Sequence, residues 1–250
     1  MTAHTLFISD LHLSPDTPWI SDRFVYFLNN IAPHADALYI LGDLFEYWLG
    51  DDQACDFAHH MADQIRACSI HTPVYFMCGN RDFLIGPHFA KRAGMQIIKD
   101  PCSIALYGRC IALTHGDDLC TLDRQHLYYR KVAYNRLVQR AFLLTPHRWR
   151  LKIAQRLRQQ SKRFRRSYHD RITDVTVSAA QKRAQKMNCH FMIHGHTHRP
   201  EIHHHTDYTP PLTRVVLGAW HDHADYCRIE NSGNFQLLTL NAPFSSTIFE

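Results

Sequence analysis

The sequence predicts an α/β fold in which short buried strands alternate with helices. Segments with helical character lie between several strands, at about 22–32, 54–68 and 174–187. Strands that alternate with helices are typical of sheets covered by helices. The strand candidates are apolar runs of four or five residues, too short for helices and suited to buried strands. There are six of them: TLFIS, ALYIL, VYFMC, CIALT, HFMI and RVVL.

A polar turn follows each of the first five runs. In chain order these turns read SDLH, LGDLFEYW, CGNRDF, THGD and HGHTH. Polar residues at the carboxyl ends of strands converge on a ligand crevice in folds of this class. The sequence therefore predicts one functional site built from these turns.

A basic segment at 124–171 interrupts the alternation between the fourth and fifth strands. It holds 15 of the 28 Lys and Arg residues and a single acid, so the rest of the chain has 13 basic and 22 acidic residues. Its apolar residues follow helical spacing on both sides of a break at Thr145-Pro146. We predict a core of residues 1–123 and 172–250 that carries a helical insertion, or lid, at 124–171.

Composition excludes several classes of protein. No apolar run approaches the roughly 18 residues of a membrane-spanning helix, and the N-terminal stretch lacks the features of a signal peptide. The eight cysteines are scattered without a CxxC pair, so we expect reduced thiols in a cytoplasmic protein.

The turn residues offer carboxylate, imidazole and amide groups without thiolate. That set suits Mn²⁺, Fe²⁺, Mg²⁺ or Zn²⁺ held by nitrogen and oxygen, and not a structural zinc site built on cysteine. Asp10 and His12 are two residues apart in an extended segment and point to the same side, as do His196 and His198. His194 lies on the strand itself and is expected to be packed.

The ordered motifs D-x-H, GD, GN, H and GHxH resemble those of the calcineurin-like metallophosphoesterase family along nearly the whole core. The resemblance implies a sandwich of two β-sheets flanked by helices, with two divalent cations as cofactors. It also implies the cation ligands, with Asp43 shared between the two cations: Asp10, His12, Asp43 and His198 for one, and Asp43, Asn80, His115 and His196 for the other.

Arg81 departs from the general pattern of that family. Many members have a histidine after GN, which can protonate an alkoxide leaving group. Arginine stays protonated in proteins, so it binds phosphate oxygens but does not donate that proton. Arg81 therefore favours a reaction whose leaving group needs no proton, such as cleavage of a pyrophosphate.

GNRDF and HGHTHRP resemble the Mn²⁺-dependent branch that cleaves UDP-2,3-diacylglucosamine in lipid A biosynthesis. This resemblance implies catalytic roles for Asp43 and Arg81. It also implies that the substrate-contacting residues of that branch correspond in this chain to Asn80, Arg81, Asp123, Ser161 and His196. Two further substrate-contacting positions of that branch, usually Asn and Lys, are Arg165 and Tyr168 in this chain. Because these residue types differ, we do not assign substrate contacts to them.

The resemblance also implies partners for the insertion. Its apolar stripe is expected to contact the acyl chains of the UDP-linked lipid. Its Lys and Arg side chains are expected to contact an anionic membrane surface on the cytoplasmic face of the inner membrane. No nucleic acid and no obligate protein partner are expected. Two alternatives stay open from the residues alone, namely a phosphoesterase acting on nucleic acid or small nucleotides, and a scaffold without metals. The histidines at 203–205 are expected in an exposed loop.

Overall fold

The computed structural model describes residues 2–167 and 174–240, with the backbone alone for residues 158–167. The described residues form two sheets. Their strands are β1 (His4–Ile8), β2 (Ala37–Leu41), β3 (Val74–Met77), β4 (Met95–Ile98), β5 (Cys102–Leu106), β6 (Arg109–Leu113), β7 (Phe191–His194), β8 (Glu201–His205), β9 (Leu212–Val216), β10 (Asp225–Glu230) and β11 (Phe235–Thr239). All six predicted strands are among them.

The first sheet has the order β11-β10-β1-β2-β3-β4, and the second has the order β5-β6-β7-β9-β8. Strands β1 to β4 run parallel, as do β6, β7 and β9. The remaining pairings are antiparallel. Apart from β4, which lies at the edge of its sheet, the parallel strands are the continuous apolar runs of the sequence, which is the pattern expected where both faces of a sheet are covered.

The helices are α1 (Pro18–Asn30), α2 (Asp56–Ser69), α3 (Pro87–Ala93), α4 (Arg124–Ala133), α5 (Arg136–Leu143), α6 (His147–Ser167) and α7 (Val177–Lys186). Helix α1 begins four residues before the predicted start because Pro18 occupies its first turn, where the missing N–H costs nothing. The predicted helices at 54–68 and 174–187 correspond to α2 and α7.

Three apolar layers hold these elements together. Side chains of both sheets, such as Phe7, Leu41 and Ile193, form the layer between the sheets. Helices α1, α2 and α3 cover the other face of the first sheet, and α7 covers the other face of the second. The predicted sandwich of two sheets flanked by helices is confirmed.

Helices α4, α5 and α6 lie in the basic segment, and the break between α5 and α6 falls at Thr145-Pro146, as predicted. Arg150 fastens α6 to the core by donating to the Leu49 carbonyl at 2.9 Å and pairing with Asp52 at 2.7 Å. Large apolar side chains nevertheless remain exposed on this segment, among them Leu144 and Trp149.

Two expectations are wrong. His203 to His205 belong to strand β8, which pairs with β9, rather than to a loop. Cys110 and Cys189 form a disulfide, so not every thiol is free. Among the described helices, none combines the length and apolarity needed to cross a membrane.

Candidate metal centre

The predicted ligands meet at one end of the sandwich. The turns after β1, β2 and β3 supply Asp10, His12, Asp43 and Asn80 from the first sheet, and the turns after β6 and β7 supply His115, His196 and His198 from the second. Several of these residues have a positive φ, which is uncommon for residues other than glycine and clusters at functional sites. They are Asp10, His12, Asp43, His196 and His198, with φ between 52° and 68°.

Asp10, His12 and His198 form the first group of donors. Their ligand atoms lie within 4.8 Å of one another. The Nε2 atom of His198 lies 3.2 Å from Oδ1 of Asp10 and 3.4 Å from Nε2 of His12. Three donors therefore converge on one small volume, as they must to bind one cation.

Asp10, Asp43 and His115 form the second group, whose ligand atoms also lie within 4.8 Å of one another. The amide of Asn80 faces two imidazole nitrogens, 3.1 Å from Nε2 of His115 and 2.8 Å from Nδ1 of His196. A half-turn of this amide puts its carbonyl oxygen in the same place, and that oxygen is its metal-binding atom. Asp10 belongs to both groups.

Hydrogen bonds outside the cluster orient these donors. His115 donates from Nδ1 to the Leu41 carbonyl at 2.9 Å, so Nε2 is the nitrogen that faces the cluster, 3.7 Å from Oδ1 of Asp43. Oδ2 of Asp10 accepts from the Ser9 hydroxyl at 2.6 Å and from the His196 amide at 2.8 Å, so Oδ1 is left for the cluster. Such partners fix the orientation of metal ligands.

The electrostatics of the cluster fit a cation. Burial lowers the pKa of His12 to about 3 and that of His196 well below its usual value, so both imidazoles are neutral and offer a lone pair. Burial also opposes charge on His115, but the carboxylates of Asp43 and Asp10 outweigh it and raise its pKa to about 9. The carboxylates thus attract positive charge into a buried site, which is the charge that a metal ion would supply.

Arg81 lies beside this cluster. Its amide donates to Oδ1 of Asp43 at 2.9 Å, and its Nη1 donates to Glu46 at 2.9 Å. Its Nε lies 3.7 Å from Oδ2 of Asp43. The guanidinium is partly exposed, so it can meet a phosphate that approaches the donors.

Asp82 supports the candidate site and was not among the predicted residues, although it stands in the GNRDF motif. It is fully buried and accepts from the amides of Leu44 at 2.6 Å and Gly79 at 2.7 Å. Burial, with the nearby Asp43 carboxylate, raises its pKa to about 7. Asp82 joins the turn after β2 to the turn after β3 and so fixes the distance between Asp43 and Asn80.

The remaining predicted residues are placed as follows. Asp123 caps the start of α4 and accepts from the His126 amide at 2.9 Å. His194 is fully buried, as expected, and receives a hydrogen bond from Arg214 at 3.0 Å. Ser161 and Arg165 lie on α6 where side chains are not described, and Tyr168 lies outside the described residues.

Gly79→Ala tests how closely the turns after β2 and β3 approach. A Cβ at Gly79 would collide with the backbone nitrogen and the carboxylate of Asp43. Because that carboxylate cannot retreat without moving the cluster, we expect metal-dependent activity to fall about 100-fold. Steady-state kinetics will measure the loss. Gly108→Ala is the control: its Cβ meets nothing within 4 Å, although the φ of 76° strains an alanine there. Equal losses in both variants would contradict this account.

Comparison with known proteins identifies the family of the chain. The sequence profile of the calcineurin-like phosphoesterases matches residues 3–200. The chain is 45% identical over 234 residues to the UDP-2,3-diacylglucosamine hydrolase of Coxiella burnetii (strain Dugway 5J108-111), covering 94% of this chain and 96% of that protein. It is 46% identical to the protein of the same name from Serratia proteamaculans, covering 87% and 91%. The chain therefore belongs to the calcineurin-like phosphoesterase family.

Proposed function

We propose that the protein hydrolyses the pyrophosphate bond of UDP-2,3-diacylglucosamine, giving UMP and 2,3-diacylglucosamine 1-phosphate. The observation that carries this proposal is the placement of Arg81 beside two groups of converging metal donors. The relatives that share the name UDP-2,3-diacylglucosamine hydrolase support the choice of substrate, because the match extends over most of both chains.

We propose two divalent cations as cofactors, with Mn²⁺ as the metal. Asp10, His12, Asp43 and His198 would hold one, and Asp43, Asn80, His115 and His196 would hold the other. Such a pair supplies stabilisation of the charge on phosphate oxygens and makes water a nucleophile near neutral pH.

The protein's own residues bind and orient the diphosphate. Arg81 binds the phosphate oxygens and stabilises the charge that develops on them. It transfers no proton, and none is needed, because the leaving group is the phosphate of the lipid monophosphate. Asn80, Asp123, Ser161 and His196 are proposed to contact the substrate, and Glu46 holds the Arg81 guanidinium near Asp43.

The insertion at 124–171 is proposed as a lid for a two-chain lipid, set on a core of 1–123 and 172–250. It exposes Leu144 and Trp149, at 87% and 66%, on a segment whose sequence holds 15 Lys and Arg residues. Apolar side chains surrounded by Lys and Arg suit a protein bound peripherally to an anionic membrane from the cytoplasmic side.

The first test is a product assay on UDP-2,3-diacylglucosamine in detergent, using chelator-stripped protein with and without Mn²⁺. We expect UMP and lipid monophosphate only when metal is added. Parallel reactions with Mg²⁺ and Zn²⁺ test the choice of metal. Turnover of DNA or small phosphodiesters, with none of the lipid, would overturn the proposed substrate.

Trp149→Ser tests the membrane role of the insertion. Removal of a large apolar side chain from a lipid contact costs about 1.5–3 kcal/mol. We therefore expect binding to vesicles of anionic and neutral phospholipid to weaken at least about 10-fold, as measured by flotation. Ile70→Ser is the control, because it removes a comparably exposed apolar side chain that lies outside the insertion. Equal binding by the two variants would show that the insertion does not contact the membrane.

A further inference from the structure

Arg130, on the first helix of the insertion, links two buried carboxylates of the core. Its Nη1 lies 2.9 Å from each carboxylate oxygen of Asp117, and its Nη2 donates to Oδ2 of Asp100 at 2.8 Å. The side chain of Asp117 is fully buried and that of Asp100 is 6% exposed. The Arg130 guanidinium also lies over the ring of Tyr134, 4.2 Å from its centroid.

Asp100 connects Arg130 to His115, one of the proposed metal ligands. Its Oδ1 accepts from the hydroxyl of Thr114 at 2.7 Å and from the amide of His115 at 3.2 Å. Because the imidazole of His115 is held separately by the Leu41 carbonyl, Asp100 fixes the backbone that carries the ring. The position of His115 therefore depends on where Arg130 holds Asp100.

Asp117 connects Arg130, by way of His126, to a second proposed ligand, His196. Its Oδ2 accepts from Nε2 of His126 at 3.0 Å. The ring of His126 packs against that of His196, with 5.4 Å between centroids. Arg130 thus reaches His115 through the Asp100 carboxylate, and it reaches His196 through the Asp117 carboxylate and the His126 ring.

A guanidinium is the group that this arrangement needs. Its planar fork of donors serves two carboxylates at once, which the compact ammonium of lysine does less well. Removing a cation from between two buried carboxylates leaves their charge uncompensated, and the acids must then shift or recruit water. Either response moves the turn after β6.

We propose that Arg130 is a positioning residue. It couples the docking of helix α4 to the geometry of one half of the metal centre, the half formed by Asn80, His115 and His196. This inference rests on the proposed function, since it assumes two cations. Within the described residues, no hydrogen bond or ion pair joins Arg130, Asp100 or Asp117 to the other half, formed around Asp10, His12 and His198.

The experiment titrates Mn²⁺ into chelator-stripped full-length protein in competition with a fluorescent chelator, which resolves the number of sites and their Kd values. Arg130→Met is the main variant and Arg130→Lys is the conservative one. Lys131→Met, at the next position of the same helix, removes a cation that is exposed and is the control. Hydrogen exchange of the α4 amides and thermal unfolding accompany each titration.

In Arg130→Met we expect one Kd to rise about 10- to 100-fold while the other stays within threefold of the unsubstituted protein, and α4 to exchange faster. Arg130→Lys should give an intermediate rise, and it decides the question if the methionine variant does not fold. Two unchanged Kd values with faster exchange of α4 would overturn the inference, because Arg130 would then only anchor the helix. Failure of the unsubstituted protein to bind two ions would instead overturn the proposed function.

Discussion

Asp43→Asn is expected to lower kcat/KM by at least about 1,000-fold, equivalent to about 4 kcal/mol of transition-state stabilisation. The Asp43 carboxylate lies among the donors, with Oδ1 3.7 Å from Nε2 of His115, and it is proposed as the ligand shared by both cations. An amide has nearly the same shape but no negative charge, so it would hold two cations poorly. Asparagine also tolerates the positive φ of 53° found at this position.

The fold should therefore survive this substitution, which separates a chemical effect from a structural one. Activity, metal content and thermal unfolding will be compared with those of Asp63→Asn. Asp63 is an exposed carboxylate that pairs with Arg92 at 3.0 Å, far from the predicted ligands in the sequence. A variant at Asp43 that keeps two metal ions and activity within tenfold would refute the shared role of this carboxylate.

Arg81→Lys should lower kcat about 100- to 1,000-fold, the range for removing a preorganised donor from a developing charge. Lysine keeps the positive charge but lacks the planar guanidinium, which donates to Glu46 through Nη1 and faces Asp43 through Nε. The charge that accumulates in the transition state then has a weaker and less directed partner, so kcat is expected to fall more than KM rises.

The matched control is Arg92→Lys, which alters an arginine of the protein surface and should leave the kinetics unchanged. Kinetics on the lipid substrate will separate kcat from KM. A rise in KM alone, with kcat intact, would show that Arg81 only binds the ground state of the diphosphate.

The candidate site could be predicted largely because its ligands follow strands directly. Each apolar run ends at a polar turn, and parallel strands bring their carboxyl ends to the same edge. Asp10, Asp43 and His115 are therefore brought together by local patterns that the sequence displays. The two-residue spacing of His196 and His198 is likewise visible without any structure, but the extended backbone expected at this pair is wrong, because both residues have positive φ.

The edge and connecting elements could not be predicted in the same way. Strand β8 reads EIHHH, a polar sequence whose strand conformation comes from pairing with β9 rather than from its own composition. Strands β4, β5, β10 and β11 were also missed, because their partly exposed residues lack a continuous apolar run. Asp82 and Arg130 act through contacts distant in sequence; Asp82 and Leu44, for example, are 38 positions apart.

The division of the ligands between the two sheets links folding to metal supply. Neither sheet alone holds a complete set, since Asp10, His12, Asp43 and Asn80 come from one sheet and the histidines at 115, 196 and 198 from the other. Cations held by the proposed ligands would therefore cross-link the two halves of the sandwich, and only the native state would bind them fully. By mass action, free metal at 1,000 times its Kd adds about 4 kcal/mol to the free energy of unfolding. A cell short of the metal would then lose folded protein as well as turnover.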